Sequence, residues 1–205
     1  MVKVGLTGGY ATGKSFVAGE FERLGCHIIH ADRLGHAALE PEGEAYGPAV
    51  REFGDAILSA DGTIDRKKLA SIVFMDAERL ALLNSFVHPA VFRLEEQMMQ
   101  AFRAEDPGGI AVIEAAILIE TGRYKVFHRL IVTICAFETQ IARAMSRDKL
   151  SREQVLARLE NQMPADEKRR YADYVIDTDG PKSDTTNQVR NVYQQIKHFA
   201  DSGCA

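Results

Sequence analysis

Five short apolar runs, separated by segments with helical spacing, give the chain its overall pattern. The runs lie at residues 2–7, 27–30, 110–114, 130–135 and 174–177. Short, nearly continuous apolar runs are typical of parallel strands that are buried on both faces. After the first run, Val17, Phe21 and Leu24 recur at i, i+4 and i+7, which is one apolar face of a helix. Strands that alternate with helices predict a three-layer α/β fold with a parallel five-stranded sheet.

The stretch between the second and third runs breaks this alternation, because it has helical spacing and no strand pattern. Helices are predicted at 33–40, 44–53, 66–74 and 78–86, followed by a longer one that starts at Pro89 and ends before Pro107. Proline suits the first position of a helix, since its missing N–H would have no intrahelical partner there. We therefore expect a helical insertion at about 35–107, beside the sheet, within a single domain that spans residues 1–205.

The first strand and the first helix flank the most informative motif of the chain. Residues 8–15 fit G-x-x-x-x-G-K-[ST], the phosphate-binding loop of P-loop NTPases. Gly8 and Gly13 let backbone N–H groups turn inward around a phosphate, and the following helix directs its positive dipole end at the same anion. Lys14 would neutralise the terminal phosphates, and Ser15 would ligate the accompanying Mg²⁺. The alternative is a plain strand–turn–helix whose glycines serve only the turn.

The motif and its flanks predict a nucleotide-binding chain with a P-loop NTPase fold. The residues expected to bind the nucleotide are Gly8, Gly9, Ala11, Thr12, Gly13, Lys14, Ser15 and Phe16. The sequence has no N-K-x-D motif, with which GTPases read guanine, and 205 residues leave no room for the extra modules of motors or assembled ATPases. The class that remains is a kinase of a small hydroxyl compound.

Composition restricts the compartment and the partners without changing this class. The 205 residues carry a formal net charge of −4, which gives no support for a general affinity for nucleic acids. No apolar run approaches the roughly 18 residues of a membrane span. Cys26, Cys135 and Cys204 lack C-x-x-C spacing, so we expect no zinc site and no disulfide, with Cys26 and Cys135 in the core. We expect a cytoplasmic monomer or weak homo-oligomer with neither nucleic-acid nor membrane partners.

Two carboxylates are candidates for chemistry at the carboxyl edge of the sheet. Asp32 follows the second strand, which we expect beside the first strand in a right-handed βαβ unit. Asp32 would then be a general base for an acceptor hydroxyl, and its alternative role is the N-cap of a helix that begins at Arg33. Glu114 ends the third strand and would hold substrate or the waters around Mg²⁺, or pair with an arginine of a lid.

A basic segment after the fourth strand predicts a lid. Residues 143–170 contain eight lysines and arginines against five acidic residues. Arg143 and Arg147 lie at i and i+4 on one helical face, where they would close over the transferred phosphoryl group and act in catalysis. A solvated helical face is the alternative. Ser151 and Gln154 fit a capping box that would open the next helix.

Several short motifs, in a consistent order, cover the chain from Gly5 to about Gly180. Besides the phosphate-binding loop, they comprise Ala31-Asp32, Gly62-Thr63-Ile64-Asp65-Arg66 with Leu69 and Phe74, His88-Pro89, Glu120, Gln140 with Arg143 and Arg147, Arg158 with Gln162, and Ala172-Asp173-Tyr174-Val175-Ile176. Together they resemble the dephospho-CoA kinase family. The resemblance implies an ATP-dependent phosphorylation of the ribose 3′-hydroxyl of dephospho-CoA.

The same resemblance implies roles for particular residues. ATP would lie on the phosphate-binding loop, Asp32 would be the base, and the lid would span about 143–170. The insertion would lie on the acceptor side, where His88 would help to hold dephospho-CoA. From its position alone, His88 would orient a substrate or cap the helix that starts at Pro89.

The chain departs from the family pattern at four positions that bear on the site. Ala11 stands where glycine is usual and Phe16 where threonine is usual, while His30 and His36 replace an aspartate and an arginine. We expect Ala11 to have a φ angle below zero, since an alanine tolerates that conformation. Another small-molecule kinase, of the nucleoside monophosphate or shikimate type, and a non-catalytic nucleotide-binding regulator are the alternatives.

Overall fold

The computed structural model describes residues 1–73, 76–160 and 162–203. The α-helices and strands, in chain order, are β1 Val2–Gly8, α1 Lys14–Arg23, β2 His27–His30, α2 Ala31–Ala38, α3 Tyr46–Phe53, α4 Arg66–Val73, α5 Ala77–Glu105, β3 Ile110–Glu114, β4 Arg129–Ile134, α6 Phe137–Asp148, α7 Arg152–Glu160, α8 Ala165–Arg169, β5 Tyr174–Asp177 and α9 Lys182–Asp201. The chain divides into two compact units, one of residues 1–30 with 101–205 and the other of residues 31–100.

The first unit contains one parallel sheet in the order β2-β3-β1-β4-β5 with flanking helices. All five predicted strands are confirmed. Val2 pairs with Ile110 of β3, and Val4 pairs with Arg129 of β4, so β1 is the central strand. The sequence therefore predicted the fold class correctly.

The expected position of β2 is wrong, because β3 lies between β2 and β1. All five residues of β3 are buried, whereas β2 is only four residues long and has one buried residue. An inner strand needs apolar side chains on both faces, and β3 satisfies this condition better than β2, which begins and ends with histidine. Asp32 thus follows an edge strand.

The main core of the first unit lies between the sheet and the pair of helices α1 and α9. Phe21 and Val17 of α1 meet Val189 and Ile196 of α9, and all four side chains are fully buried. Gly25 follows α1 with a φ angle of 89°, a left-handed conformation that glycine allows and that commonly ends a helix. Among the described residues, no helix combines the length and the apolar character that a bilayer crossing demands.

The second unit is helical and has an apolar cluster of its own. Among the described residues of this unit, the buried side chains of the cluster are Ala49, Ile57, Ile64, Leu69, Val73 and Leu83. α3 ends at Phe53, where the predicted helix 44–53 ends, and Gly54 follows it. The predicted helix from Arg66 is present as α4 up to Val73, and Phe74 falls outside the described residues.

The expected helix start at Pro89 is wrong, because α5 runs without a break from Ala77 to Glu105 with Pro89 inside it. A proline within a helix removes one i→i−4 hydrogen bond and crowds the preceding turn. Leu83 and Val91 are buried on either side of it, so continuing the helix keeps both on one apolar face. His88 is therefore an internal helix residue, and its alternative role as a cap is also wrong.

Candidate active site

The phosphate-binding loop joins the central strand β1 to α1, as its motif predicts. A Cβ atom on Gly8 would lie 2.6 Å from the carbonyl oxygen of Thr133 in β4, so a side chain there would collide with backbone. Gly13 has a φ angle of 84° at the start of α1, a left-handed conformation that favours glycine. Thr12 donates a 2.8 Å hydrogen bond to Gly9 O, and its hydroxyl lies 2.8 Å from Thr133 Oγ1. These contacts fix the loop to the end of the sheet.

Ala11 has a φ angle of 60°, so the expectation of a negative angle is wrong. A left-handed conformation costs a residue with a Cβ atom roughly 1–2 kcal/mol. The loop adopts it because the anion-binding curl of the motif requires that angle whichever residue occupies the position. Ala11 packs with Tyr10 against the apolar residues of α6 and α7, and this packing offsets part of the strain.

Lys14 and Ser15 open α1 and point to different partners. Lys14 Nζ donates to the carbonyl oxygens of Gly8 and Gly9 at 3.0 and 2.9 Å, so its charge lies over the loop. Ser15 Oγ donates to Glu114 Oε1 at 2.8 Å. Positive charge over the loop and oxygen atoms beside it suit a polyphosphate with a divalent cation.

Glu114 is the polar centre of this edge of the sheet. It ends β3, is only 8% exposed, and holds Ser15 with one oxygen, while its other oxygen lies 2.5 Å from His30 Nδ1. The contacts described for Glu114 thus involve a serine and a histidine, not the lid arginine that was its alternative partner. A hydroxyl next to a buried carboxylate is a donor set that fits Mg²⁺, which prefers oxygen ligands.

Arg143 and Arg147 of α6 are linked to the phosphate-binding loop by different residues. Arg143 donates to Thr178 Oγ1 at 2.9 Å and to Thr178 O at 2.5 Å. Thr178 in turn donates to the carbonyl oxygen of Thr12 at 2.9 Å, which links the arginine to the loop. Arg147 pairs with Asp148 at 2.8 and 2.9 Å. Its guanidinium lies 5.1 Å from the ring centroid of Tyr10.

Phe16 is in α1 with its ring 5.4 Å from Lys182 Nζ at the start of α9. This cation–π contact joins the first turn of α1 to the first turn of the last helix. The phenyl ring thus favours a positive charge beside the first turn of α1.

Asp32 and His88 belong to the second unit. Asp32 is exposed in the first turn of α2, which begins at Ala31, so its alternative role as the N-cap of a helix from Arg33 is wrong. Burial, with the nearby charge of Arg66, lowers the pKa of His36, against the opposing effects of Asp32 and Glu40. His88 stacks on Phe92, with ring centroids 5.9 Å apart.

Several contacts at this edge were not predicted from the sequence. Lys168 of α8 is fully buried, and its Nζ lies 2.8 Å from Glu120 Oε1 and 2.9 Å from Ala116 O. Tyr10 and Thr178 also contact the candidate residues. A lysine and a glutamate separated by about 50 residues carry no pairing signal in one sequence, and a threonine after a strand is common. The tyrosine inside the motif was the one available clue.

The chain is similar to dephospho-CoA kinases over almost its whole length. The family model for dephospho-CoA kinase matches residues 2–184. A dephospho-CoA kinase of Aquifex aeolicus is 40% identical over 196 residues, which cover 96% of this chain and 98% of that protein. The crystal structure of TT1252 from Thermus thermophilus has a TM-score of 0.82 and 34% identity, covering 95% of this chain and 97% of that one. A dephospho-CoA kinase of Campylobacter jejuni has a TM-score of 0.70 and 29% identity, covering 96% and 97%.

Proposed function

Because the chain belongs to the dephospho-CoA kinase family, we propose that it phosphorylates the 3′-hydroxyl of dephospho-CoA with ATP, giving coenzyme A and ADP. The observation that carries this function is the family match over residues 2–184, which includes the complete phosphate-binding loop. Kinases of the nucleoside monophosphate or shikimate type, and a regulator without catalysis, are not favoured by that match.

The donor half of the reaction rests on residues 8–16. Their N–H groups and Lys14 bind the phosphates of ATP, and the φ angle of Gly13 supports this by presenting the start of α1 to the anion. Ser15 and Glu114 would hold Mg²⁺, which supplies charge neutralisation at the β- and γ-phosphates when it is bound. The 2.8 Å contact between these two side chains keeps an oxygen cluster beside Lys14.

For the acceptor half, we propose roles for Asp32 and for the helical insertion. Asp32 accepts the proton of the 3′-hydroxyl as its oxygen forms a bond to the γ-phosphorus. The bond between that phosphorus and the β,γ-bridging oxygen breaks, and the electron pair leaves with ADP. The helical insertion of about 35–107 carries His88, which we propose helps to bind dephospho-CoA.

Arginine side chains stabilise the charge that develops during transfer. We assign this role to Arg143 and Arg147, within a lid of about 143–170 that belongs to the same single domain. The contact from Arg143 through Thr178 to Thr12 supports the assignment, since it holds one guanidinium at the loop. We further propose that the enzyme acts in the cytoplasm as a monomer or weak homo-oligomer, without nucleic acid or membrane partners.

An ADP-release assay over a panel of acceptors tests this function. Dephospho-CoA should support turnover, whereas AMP and shikimate should not. Coenzyme A is the matched control, because it differs from dephospho-CoA only by the phosphate that occupies the 3′ position. ADP release with AMP or shikimate but not with dephospho-CoA would reject the proposal, and ATP binding without release for any acceptor would favour a regulator.

A further inference from the structure

Tyr10 lies inside the phosphate-binding loop and is the aromatic residue of its motif. Its ring packs against an apolar cluster whose buried members are Ile141, Ala144 and Val155 of α6 and α7. The motif requires no particular residue at this position. An aromatic ring here therefore joins the loop to two helices that begin more than 120 residues later in the chain.

The backbone of Tyr10 is held by two glutamine side chains from the same region. Its N–H donates to Gln162 Oε1 at 2.7 Å, and its carbonyl oxygen accepts from Gln140 Nε2 at 2.5 Å. Gln140 is a buried residue of α6. The orientation of the Tyr10 backbone in the loop consequently depends on Gln140 of α6 and on Gln162, which follows α7.

The side chain of Tyr10 organises two arginines. Its hydroxyl donates to Asp148 and accepts from Arg158 Nη1 at 3.0 Å. The guanidinium carbons of Arg147 and Arg158 lie 5.1 and 5.5 Å from the ring centroid, within the range of cation–π attraction. The ring of Tyr10 thus contacts both guanidinium groups, and its hydroxyl contacts the Asp148 carboxylate that pairs with them.

Asp148 keeps this arrangement charged. Hydrogen bonds from Arg147 and then from Tyr10 lower its pKa to about 2, so it is a carboxylate at neutral pH. Arg147 binds it in a bidentate manner, and Arg158 Nη1 lies 3.9 Å from Asp148 Oδ2. More than half of each arginine side chain is nevertheless exposed, so the guanidinium groups are oriented without being enclosed.

We propose that Tyr10 is a positioning residue for phosphoryl transfer, which holds Arg147 and Arg158 at the phosphate-binding loop. This inference rests on the proposed kinase function. A guanidinium that is already oriented beside the loop needs less reorganisation when charge develops on the transferred group. Arg158 thereby shares the role assigned above to Arg143 and Arg147. The residue that links the loop to the lid, Tyr10, belongs to the loop itself.

The first test separates the ring from the hydroxyl. Tyr10→Ala should lower kcat about 10- to 100-fold, with the KM for ATP within about threefold, because the backbone contacts of the loop persist. Tyr10→Phe keeps the ring over both arginines and should recover most of that loss. Tyr193→Ala in α9 is the matched control, since Tyr193 packs on the core of the sheet; it should lower Tm without changing kcat.

Two results would overturn the positioning role. A Tyr10→Ala enzyme that is as fast as the wild type, or faster, would mean that Tyr10 is dispensable or restrains the arginines. Additive effects of Tyr10→Ala and Arg158→Ala on kcat would mean that the two residues act independently, whereas positioning predicts that the second change costs much less once the first is present.

Amide hydrogen exchange tests the link without any acceptor. With ADP present, Tyr10→Ala should speed exchange in residues 152–160 and leave residues 110–114 unchanged. Unchanged exchange in 152–160 would reject the link even if the enzyme is a dephospho-CoA kinase. If wild-type protein fails to turn over dephospho-CoA while the exchange effect is present, the proposed function is wrong and the link stands.

Discussion

The interior of the sheet and its carboxyl edge differ sharply, although they are made by the same strands. In the interior, Val4 and Ile131 are fully buried with Phe21 in a cluster of apolar side chains. Further along, β1 ends in Gly8 and β3 ends in the buried Glu114. Thr133 of β4 hydrogen-bonds Thr12 of the loop at the same edge. Stability thus comes from one part of each strand and phosphate chemistry from its end, so mutations in the two regions should affect different measurements.

The largest expected effect lies at the edge. Asp32→Asn should lower kcat by about 10²- to 10⁴-fold, the usual contribution of general acid–base catalysis, because the amide cannot accept the acceptor's proton. ATP affinity should remain within a few-fold, as measured by titration calorimetry. A loss of ATP binding in parallel with kcat would show that Asp32 supports the site rather than the chemistry.

An interior mutation should produce the opposite pattern. Phe21→Ala removes a fully buried ring and should lower the free energy of unfolding by about 3–5 kcal/mol in urea titrations. The kcat of the fraction that stays folded should be unchanged. A lower kcat in fully folded protein would mean that the interior transmits packing changes to the loop.

Alkaline pH should lower the stability of the interior through the buried thiol of Cys26. Burial raises the pKa of the Cys26 thiol to about 12, so above pH 9 the unfolded chain loses a proton that the folded protein keeps. Stability from this group is complete below pH 9 and falls as pH rises towards 12, by up to about 1.4 kcal/mol per pH unit.

The control is Cys26→Ala, which should flatten this part of the pH profile in denaturant titrations. Cys135→Ala should retain most of the slope, because Cys135 is only partly buried. An unchanged slope in Cys26→Ala would assign the alkaline loss to other groups.

The smallest effect concerns strain at the edge. Ala11→Gly relieves the left-handed alanine but adds backbone entropy to the unfolded chain, so we expect a net gain in stability of up to about 1 kcal/mol. Ala81→Gly, at an exposed position inside α5, should lose about 1 kcal/mol and is the matched control. Equal losses in thermal denaturation would mean that Ala11 bears no strain.

Features that depend on neighbouring residues could be predicted from the sequence, and features that depend on distant residues could not. The strands and the capping box were correct, because each depends on neighbouring residues; Ser151 N donates to Gln154 Oε1 at 2.9 Å, and Gln154 N to Ser151 Oγ at 3.3 Å. The position of β2 and the continuity of α5 through Pro89 were wrong, since both depend on apolar faces assembled from distant segments.

At the site, the loop residues could be predicted from the motif and their partners could not. The angle of Ala11 was wrong because the conformation of the loop overrides the preference of the residue. The links from Arg143 to Thr178, from Glu114 to His30 and from Tyr10 to Gln162 join segments that lie 35 to 152 residues apart. One sequence contains no signal for such pairs.

The central place of β1 has a consequence for synthesis on the ribosome. Val2 and Val4 have no partner in the sheet until Ile110 and Val112 of β3 have been synthesised. At about 5–20 residues per second, this delay is roughly 5–20 s, during which an apolar strand and the adjoining loop have no sheet to join. The strand order thus sets the time for which β1 stays unpaired on the nascent chain.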